Sequence, residues 1–273
     1  MIRCAITVSL VPEAHGGPFV YWNGLHDAFA RASKLGFQGM EIFPPDADAV
    51  DTDEAAALCK VHGMSIAAVG TGAGWVKHKL HLCHPDAEIR VRARAFIGKI
   101  IARAAKLGAP AILGSMQGRV ETGIERAQAL DWLAEALLEA GKTASALGTH
   151  FLYEPLNRYE TNLINRQSDA AMFIQSREIR GVKVLADLFH MNIEEEDLCG
   201  ALRVLATKGI LGHVHFADSN RRAVGMGHTE ARSIAALLRE VAYDGYVSAE
   251  ILPLPDSDQA AARTINSFRD LFA

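Results

Sequence analysis

The chain has 273 residues, 49% of them apolar and 22% charged, with 28 lysines and arginines against 32 aspartates and glutamates. A net charge of −4 argues against a partner as anionic as a nucleic-acid backbone, and no apolar run reaches the roughly 18 residues of a membrane-spanning helix. Cys4, Cys59, Cys83 and Cys199 are scattered with no CxxC pair, a pattern of reduced thiols in a cytoplasmic protein rather than a disulfide framework.

The first predicted element is a strand over Cys4 to Leu10. MIRCAITVSL carries one Arg before its apolar run and lacks the small-residue cleavage site of a secretory leader. One pattern then recurs: an amphipathic helix, a glycine, and a β-rich run. Its instances are ASKLGFQGMEIF, CKVHGMSIAAV, AAKLGAPAILGS, SALGTHFLYE, REIRGVKVLAD, ATKGILGHVHFAD and AYDGYVSAEIL. Gly36, Gly63, Gly108, Gly148, Gly181, Gly209 and Gly245 stand where a helix C-terminus calls for a left-handed residue. Between the third and fourth strands, Pro85-Asp86 opens a helix whose apolar stripe is Ile89, Ala93, Phe96, Ile97, Ile100 and Ile101. The last helix is DQAAARTINSFRDLFA.

Eight strands alternating with helices, with no linker or low-complexity break, predict an α/β chain folded as a single-domain (β/α)₈ TIM barrel over residues 1–273. A doubly wound open sheet is the alternative. It would want a glycine-rich phosphate turn after the first strand, and SLVPEAHGGPF has no GxGxxG.

In such barrels the C-terminal ends of the strands form the active face. There the second strand, GMEIFP, offers Glu41; the fifth, HFLYEPL, Glu154; the sixth, VKVLAD, Asp187 with His190 just beyond. The seventh, LGHVHFAD, offers His213 and His215, and the eighth, VSAEILP, Glu250, whereas SIAAVG and AILGS offer none. Neighbouring strands lie about 4.8 Å apart, so Glu154, Asp187, His215 and Glu250, from four consecutive strands, can converge on one point. Three carboxylates would repel one another without a cation. With one imidazole they make a hard, oxygen-rich set for one divalent metal ion, Mn²⁺, Mg²⁺ or Co²⁺ rather than a thiolate-loving one. His213 and His215 share a face of their strand, so either can be the ligand. His215 is preferred as nearer the strand end, with His213 a hydrogen-bonded barrel-interior residue. Glu41 stays open between a salt-bridged strand residue and a site residue.

Glu154 and Glu250 lie three strands apart, on opposite sides of such an ion. Proton removal by one and return by the other inverts a carbon; shuttling between neighbouring carbons interconverts an aldose and a ketose. The metal would polarise the carbonyl and hold the enediolate oxygen. His190 is expected to face substrate.

The segments EPLNRYETN, LADLFHMNIEE, GHVHFADSNRR and AEILP resemble the sugar phosphate isomerase/epimerase superfamily of xylose isomerase-like TIM barrels, closest to its D-tagatose/D-psicose 3-epimerase branch. The resemblance covers most of the chain. It implies a metal, Mn²⁺ in preference to Mg²⁺ or Co²⁺, held by Glu154, Asp187, His215 and Glu250, with Glu154 and Glu250 as the acid/base pair acting through a metal-bound cis-enediolate. It also implies sugar-oxygen contacts from His190 and Arg221, Glu160 as a supporting residue, and a homo-oligomer, dimer or tetramer. Two positions depart from it. Asp218 stands where several epimerases carry Glu, and His228 sits in a loop often lacking it.

The distal wall of the pocket is expected from the loops after the first three strands, with Trp75, Lys77 and His78 of GTGAGWVKHKLHLCH as candidates. No glycine-rich phosphate cradle follows the seventh and eighth strands, which favours a free sugar as the small-molecule partner. An inosose-type dehydratase and a hydroxypyruvate-type aldose/ketose isomerase share the same metal frame and stand as alternatives. An endonuclease IV-like hydrolase needs extra histidines from early strands for three zinc ions, which this chain lacks. A non-catalytic binding protein would tolerate loss of Glu154 or Glu250, and both are present.

Overall fold

In the computed structural model, which describes residues 1–272, eight parallel strands pair in chain order and the first closes against the last. They are β1 (Arg3–Ser9), β2 (Gly39–Phe43), β3 (Ser65–Gly70), β4 (Ala111–Leu113), β5 (Phe151–Tyr153), β6 (Val182–Asp187), β7 (Leu211–His215) and β8 (Tyr246–Ala249). Around them run α1 (Gly24–Leu35), α2 (Thr52–His62), α3 (Ala73–Val76), α4 (Ala87–Lys106), α5 (Arg126–Ala146), α6 (Gln167–Ser176), α7 (Leu188–Glu194), α8 (Leu198–Thr207), α9 (Ala231–Glu240) and α10 (Ser257–Phe272). This is the single TIM barrel expected. Ala273, the last residue of the final predicted helix, lies outside the described residues. No helix among the described residues is long and apolar enough to cross a membrane.

Strand alternation decides what goes where. Outward-facing Ile6, Met40, Ile42, Phe151, Val184 and Val214 merge with the helices' apolar faces into one continuous core. The predicted stripe of α4 behaves accordingly: Ala93, Ile97, Ile100 and Ile101 are buried, and Ile89 and Phe96 pack at the margin. Asp86 starts that helix as expected, its carboxylate accepting from the Glu88 N–H at 2.8 Å. Inside the barrel, Ala5, Ala67 and Tyr246 form one small apolar cluster, and Ala68, Ile112, Leu152 and Leu185 another. Inward positions on β2, β6 and β7 also carry four buried polar side chains, Glu41, Asp187, His213 and His215.

Five of the seven predicted left-handed glycines follow a helix end with positive φ: Gly36, Gly63, Gly108, Gly148 and Gly209. At the other two junctions a different residue makes the turn at the helix end, although Gly181 is itself left-handed (φ 73°) farther along its loop. Helices α6 and α9 end at Ser176 and Glu240, too early for Gly181 and Gly245, so Glu178 (φ 51°) and Ala242 (φ 52°) adopt the left-handed conformation.

Candidate metal centre and proton-transfer site

The register of the barrel builds the centre. On β6 and β7, Asp187 lies directly opposite His215, and their side chains meet with Asp187 Oδ2 3.2 Å from His215 Nδ1. Glu154 and Glu250 follow the last residues of β5 and β8. They bring Glu154 Oε1 to 3.3 Å and Glu250 Oε2 to 3.6 Å from the same nitrogen. Asp187 has two tasks. Its Oδ1 caps α7, accepting from the Phe189 N–H at 2.7 Å, which turns Oδ2 inward. The four residues named from the sequence thus meet in one place, each offering one ligand atom within 4.8 Å of the others.

A divalent cation fits this donor set. Three oxygens and one nitrogen converge with little access to water, and Glu154 Oε1 is buried without a hydrogen-bond partner. The carboxylates raise the His215 pKa well above its ordinary value although burial opposes it, so the cluster draws positive charge toward its middle. Burial pushes the Glu154 carboxyl up to about 8 against the pull of the His215 ring, with Glu250 and Asp187 adding to the rise. Glu250 is raised by burial as well, against His215 and Arg221. At 15% exposure its side chain is the least enclosed of the four.

The predicted substrate-facing residues surround this cluster. The Arg221 guanidinium reaches Glu250 Oε2 at 2.5 Å and lies 3.6 Å from Glu160 Oε1. His190 is held from behind: its Nδ1 lies 2.7 Å from the Asn157 amide nitrogen and 3.3 Å from the Asn157 backbone N–H. The Asn157 side-chain oxygen accepts from the Tyr159 N–H, which leaves the amide as donor and His190 Nδ1 as acceptor. The proton therefore sits on Nε2, which is buried without a partner, on a residue that lines the cavity above the cluster. Burial lowers the His190 pKa to about 4, so it donates as a neutral ring.

Asp218, singled out in the sequence, does not line the cavity. Its buried carboxylate accepts from the backbone N–H groups of Ser219, Gly225 and Thr229, pinning the loop that carries Arg221. Arg221 itself sits at φ 58°, a conformation costing about 1–3 kcal/mol for a side-chain-bearing residue. The Leu252 N–H bond to its carbonyl helps hold it. His228 is exposed and lies outside the cavity.

A cavity of 340 Å³ opens above the cluster. Its far wall comes from the early strands, as expected, but the residues differ. Trp75 lines it, whereas Lys77 and His78 do not; Glu13, His15, Phe19 and Phe43 do. Phe19 stacks on Phe43 and His15 on Trp22, each at 4.4 Å between ring centroids.

Two supports of the centre went unread in the sequence. Gln117, fully buried, donates to the carbonyls of Gly114 and Glu154 and accepts from the Tyr153 hydroxyl. Gly114 lies so near that a Cβ there would come 2.6 Å from Glu154 Oε2. Gly114→Ala is therefore expected to displace the Glu154 carboxylate and lower kcat at least tenfold, since misplacements of about 1 Å cost about 100-fold. Steady-state kinetics beside a circular-dichroism check of folding would measure this; an unchanged kcat would mean Glu154 tolerates displacement.

The xylose isomerase-like TIM barrel family profile matches residues 29–271. A D-psicose 3-epimerase of Ruminiclostridium cellulolyticum is 30% identical over 269 residues, 94% of this chain and 89% of the relative. A 3-dehydro-D-guloside 4-epimerase of Escherichia coli is 30% identical over 233 residues, 81% of this chain and 84% of the relative. In fold, the crystal structure of 3-keto-D-glucoside 4-epimerase from E. coli superimposes with a TM-score of 0.80 at 24% identity, covering 98% of each chain.

Proposed function

The chain belongs to the xylose isomerase-like TIM barrel family, and from that premise we propose that it is a divalent-metal-dependent sugar epimerase acting as a ketose 3-epimerase. The observation that carries this is the placement of Glu154 and Glu250 at the two ends of the four-residue arc, both facing one cavity. A free ketohexose or ketopentose is the proposed substrate, and the whole chain, 1–273, one catalytic domain working as a dimer or tetramer. The four free cysteines fit a reducing, cytoplasmic setting.

Glu154, Asp187, His215 and Glu250 would hold the ion, Mn²⁺ in preference to Mg²⁺ or Co²⁺. When bound it polarises the substrate carbonyl and stabilises negative charge developing on its oxygen. Glu154 and Glu250 do the proton work. One takes the C3 proton from its side of the sugar, and the other returns a proton from the opposite side, which inverts the carbon. Burial lifts both carboxyls toward the range where a group gains and loses a proton near neutrality. His190 Nε2–H and the Arg221 guanidinium hold sugar oxygens, and Glu160 steadies Arg221.

Epimerisation at C4 of a 3-keto sugar carrying a substituent is a second reading. It uses the same acid/base pair one carbon along. It is favoured by the length of the cavity, which continues from the cluster to Glu13, His15 and Trp75, room for a group beyond the reacting ring.

Incubation of the Mn²⁺-loaded protein with ketohexoses, ketopentoses and 3-keto glycosides in D₂O, read by NMR, tests both. Deuterium at C3 with an inverted hydroxyl is the expected result. Deuterium at C4 of a 3-keto glycoside selects the second reading, and deuterium at C1 or C2 would mean an aldose/ketose isomerase. Loss of water from the sugar would mean a dehydratase. No exchange with any sugar, despite bound metal, would overturn the epimerase reading.

A further inference from the structure

We propose that the N-terminal mouth of the barrel, at the opposite end from the four-residue arc, is a binding site for a phosphate oxyanion, free or carried as an ester. A second cavity, of 510 Å³, opens there. It shares no lining residue with the first. Glu41 lines one and His213 the other, and the 2.9 Å contact between Glu41 Oε2 and His213 Nε2 stands between them.

Strand alternation loads this mouth with nitrogen. Ala5, Leu152 and Leu185 fill the barrel interior. Arg3, His150 and Lys183 each stand two positions earlier, so they turn inward as well, and all three line the cavity. Arg3 and Lys183 are half-buried, and among the described residues neither forms an ion pair within 4.0 Å. The Arg3 guanidinium lies over the Tyr246 ring, 4.0 Å from its centroid, and donates to the Tyr246 hydroxyl at 2.9 Å. That bond leaves most of its side-chain N–H donors without a partner. Helix C-termini, whose carbonyl ends are partly negative, also end on this face of the barrel, yet neither cation donates to one. The one carboxylate in the lining, Asp244, is exposed and pairs with neither.

His150 adds a neutral group. Its Nε2 is buried without a partner, and burial, with Lys183 and His213 nearby, lowers its pKa to about 4. The ring is uncharged at pH 7 and still offers one N–H. Two unpaired cations and one further donor, from three different strands, suit a tetrahedral dianion whose oxygens accept from several directions. A metal ion would be repelled by both charges, and an apolar ligand would strand them. The volume exceeds what one phosphate group fills, which leaves room for the rest of an ester such as a sugar phosphate. None of this depends on the metal-centre reading.

The test uses the full chain loaded with diamagnetic Mg²⁺ and two probes, inorganic phosphate and D-fructose 6-phosphate. In ¹H–¹⁵N spectra of histidine-labelled protein, the His150 signals, assigned through His150→Gln, are expected to shift and saturate with phosphate. The His150 pKa should rise as the anion arrives beside it. Isothermal titration should give one site per chain. Lys183→Gln and Arg3→Gln are each expected to weaken that binding at least about tenfold, with Mg²⁺ affinity within about twofold of wild type. Arg221→Gln, at the other end of the barrel, should leave phosphate binding within about twofold. Tighter binding of the sugar phosphate assigns the site to an ester, and equal or weaker binding assigns it to the free ion; both outcomes keep the oxyanion site.

His150 signals unmoved by either probe, or moved equally by chloride at the same ionic strength, would overturn the proposal. So would phosphate binding lost in Arg221→Gln and spared in Lys183→Gln, which would put the anion beside the four-residue arc. The wild-type His150 response decides the matter even where a variant fails to fold.

Discussion

Glu250→Gln is expected to lower kcat by about 10³- to 10⁴-fold, the upper range for loss of a positioned general acid or base, while metal binding remains measurable. The amide keeps an oxygen where Glu250 Oε2 stands, 3.6 Å from His215 Nδ1, so the donor set loses a charge but not a ligand atom. It can no longer take up or return a proton. Its contact with Arg221, 2.5 Å between two charged groups in the wild type, weakens to one in which only the guanidinium is charged, so some rise in KM should accompany the fall in kcat. Solvent exchange gives a sharper readout. With Glu154 intact, one of the two epimers should still exchange its C3 proton for deuterium while the other does not, because each carboxylate serves one side of the ring. Near-normal turnover, or loss of exchange from both epimers alike, would refute the two-carboxylate mechanism.

Removal of the metal is the second large effect. Dialysis against a chelator is expected to abolish turnover by at least about 10³-fold, Mn²⁺ restoring it and Co²⁺ or Mg²⁺ doing so in part. Stability should fall too. A ligand present at 100 times its dissociation constant contributes about 2.7 kcal/mol. For a chain of this size that is a drop in Tm of about 5 °C. Among the described residues, the positive groups facing the three carboxylates are His215, whose pKa they raise, and Arg221, His190 being neutral. The metal-free protein therefore keeps much of its mutual repulsion, which calorimetry with and without Mn²⁺ would register. Activity unaffected by a strong chelator would remove the metal from the proposed mechanism.

The barrel and its four-residue arc were legible because both follow from short-range rules. A helix, a turn residue and a β-rich run recur along the chain, and a strand's alternation makes Asp187, His213 and His215 inward-facing wherever the strand begins. What escaped depends on how the barrel closes. Glu41 and His213 are 172 positions apart, and alternation says only that both point inward, not that the strand tilt lets them touch.

Loop residues were the least readable, since no period governs them. Trp75 turns into the cavity while Lys77 and His78, two and three residues on, do not. The carboxylate of Asp218 satisfies backbone N–H groups rather than a ligand. Gly114 was read as one residue of an apolar strand, although its value lies in the atoms it lacks beside Glu154. The helix ends at Glu178 and Ala242 show a subtler limit. A glycine nearby is not a cap unless the helix ends next to it.

The arc of Glu154, Asp187, His215 and Glu250 occupies one half of the barrel, strands β5 to β8, while the cavity's other wall is built by segments that follow β1 to β4. On the proposed function, the ion and the proton work fall to the second half of the gene, and the wall that faces them across the cavity to the first. On that reading a lineage would trade one sugar for another within its first 120 codons or so, provided that Glu41, Gly114 and Gln117, which touch the arc, are kept. A laboratory can do likewise. Chimaeras joined between β4 and β5, with Glu41, Gly114 and Gln117 preserved as early residues on which the late half leans, should exchange substrate preference while keeping a common metal requirement.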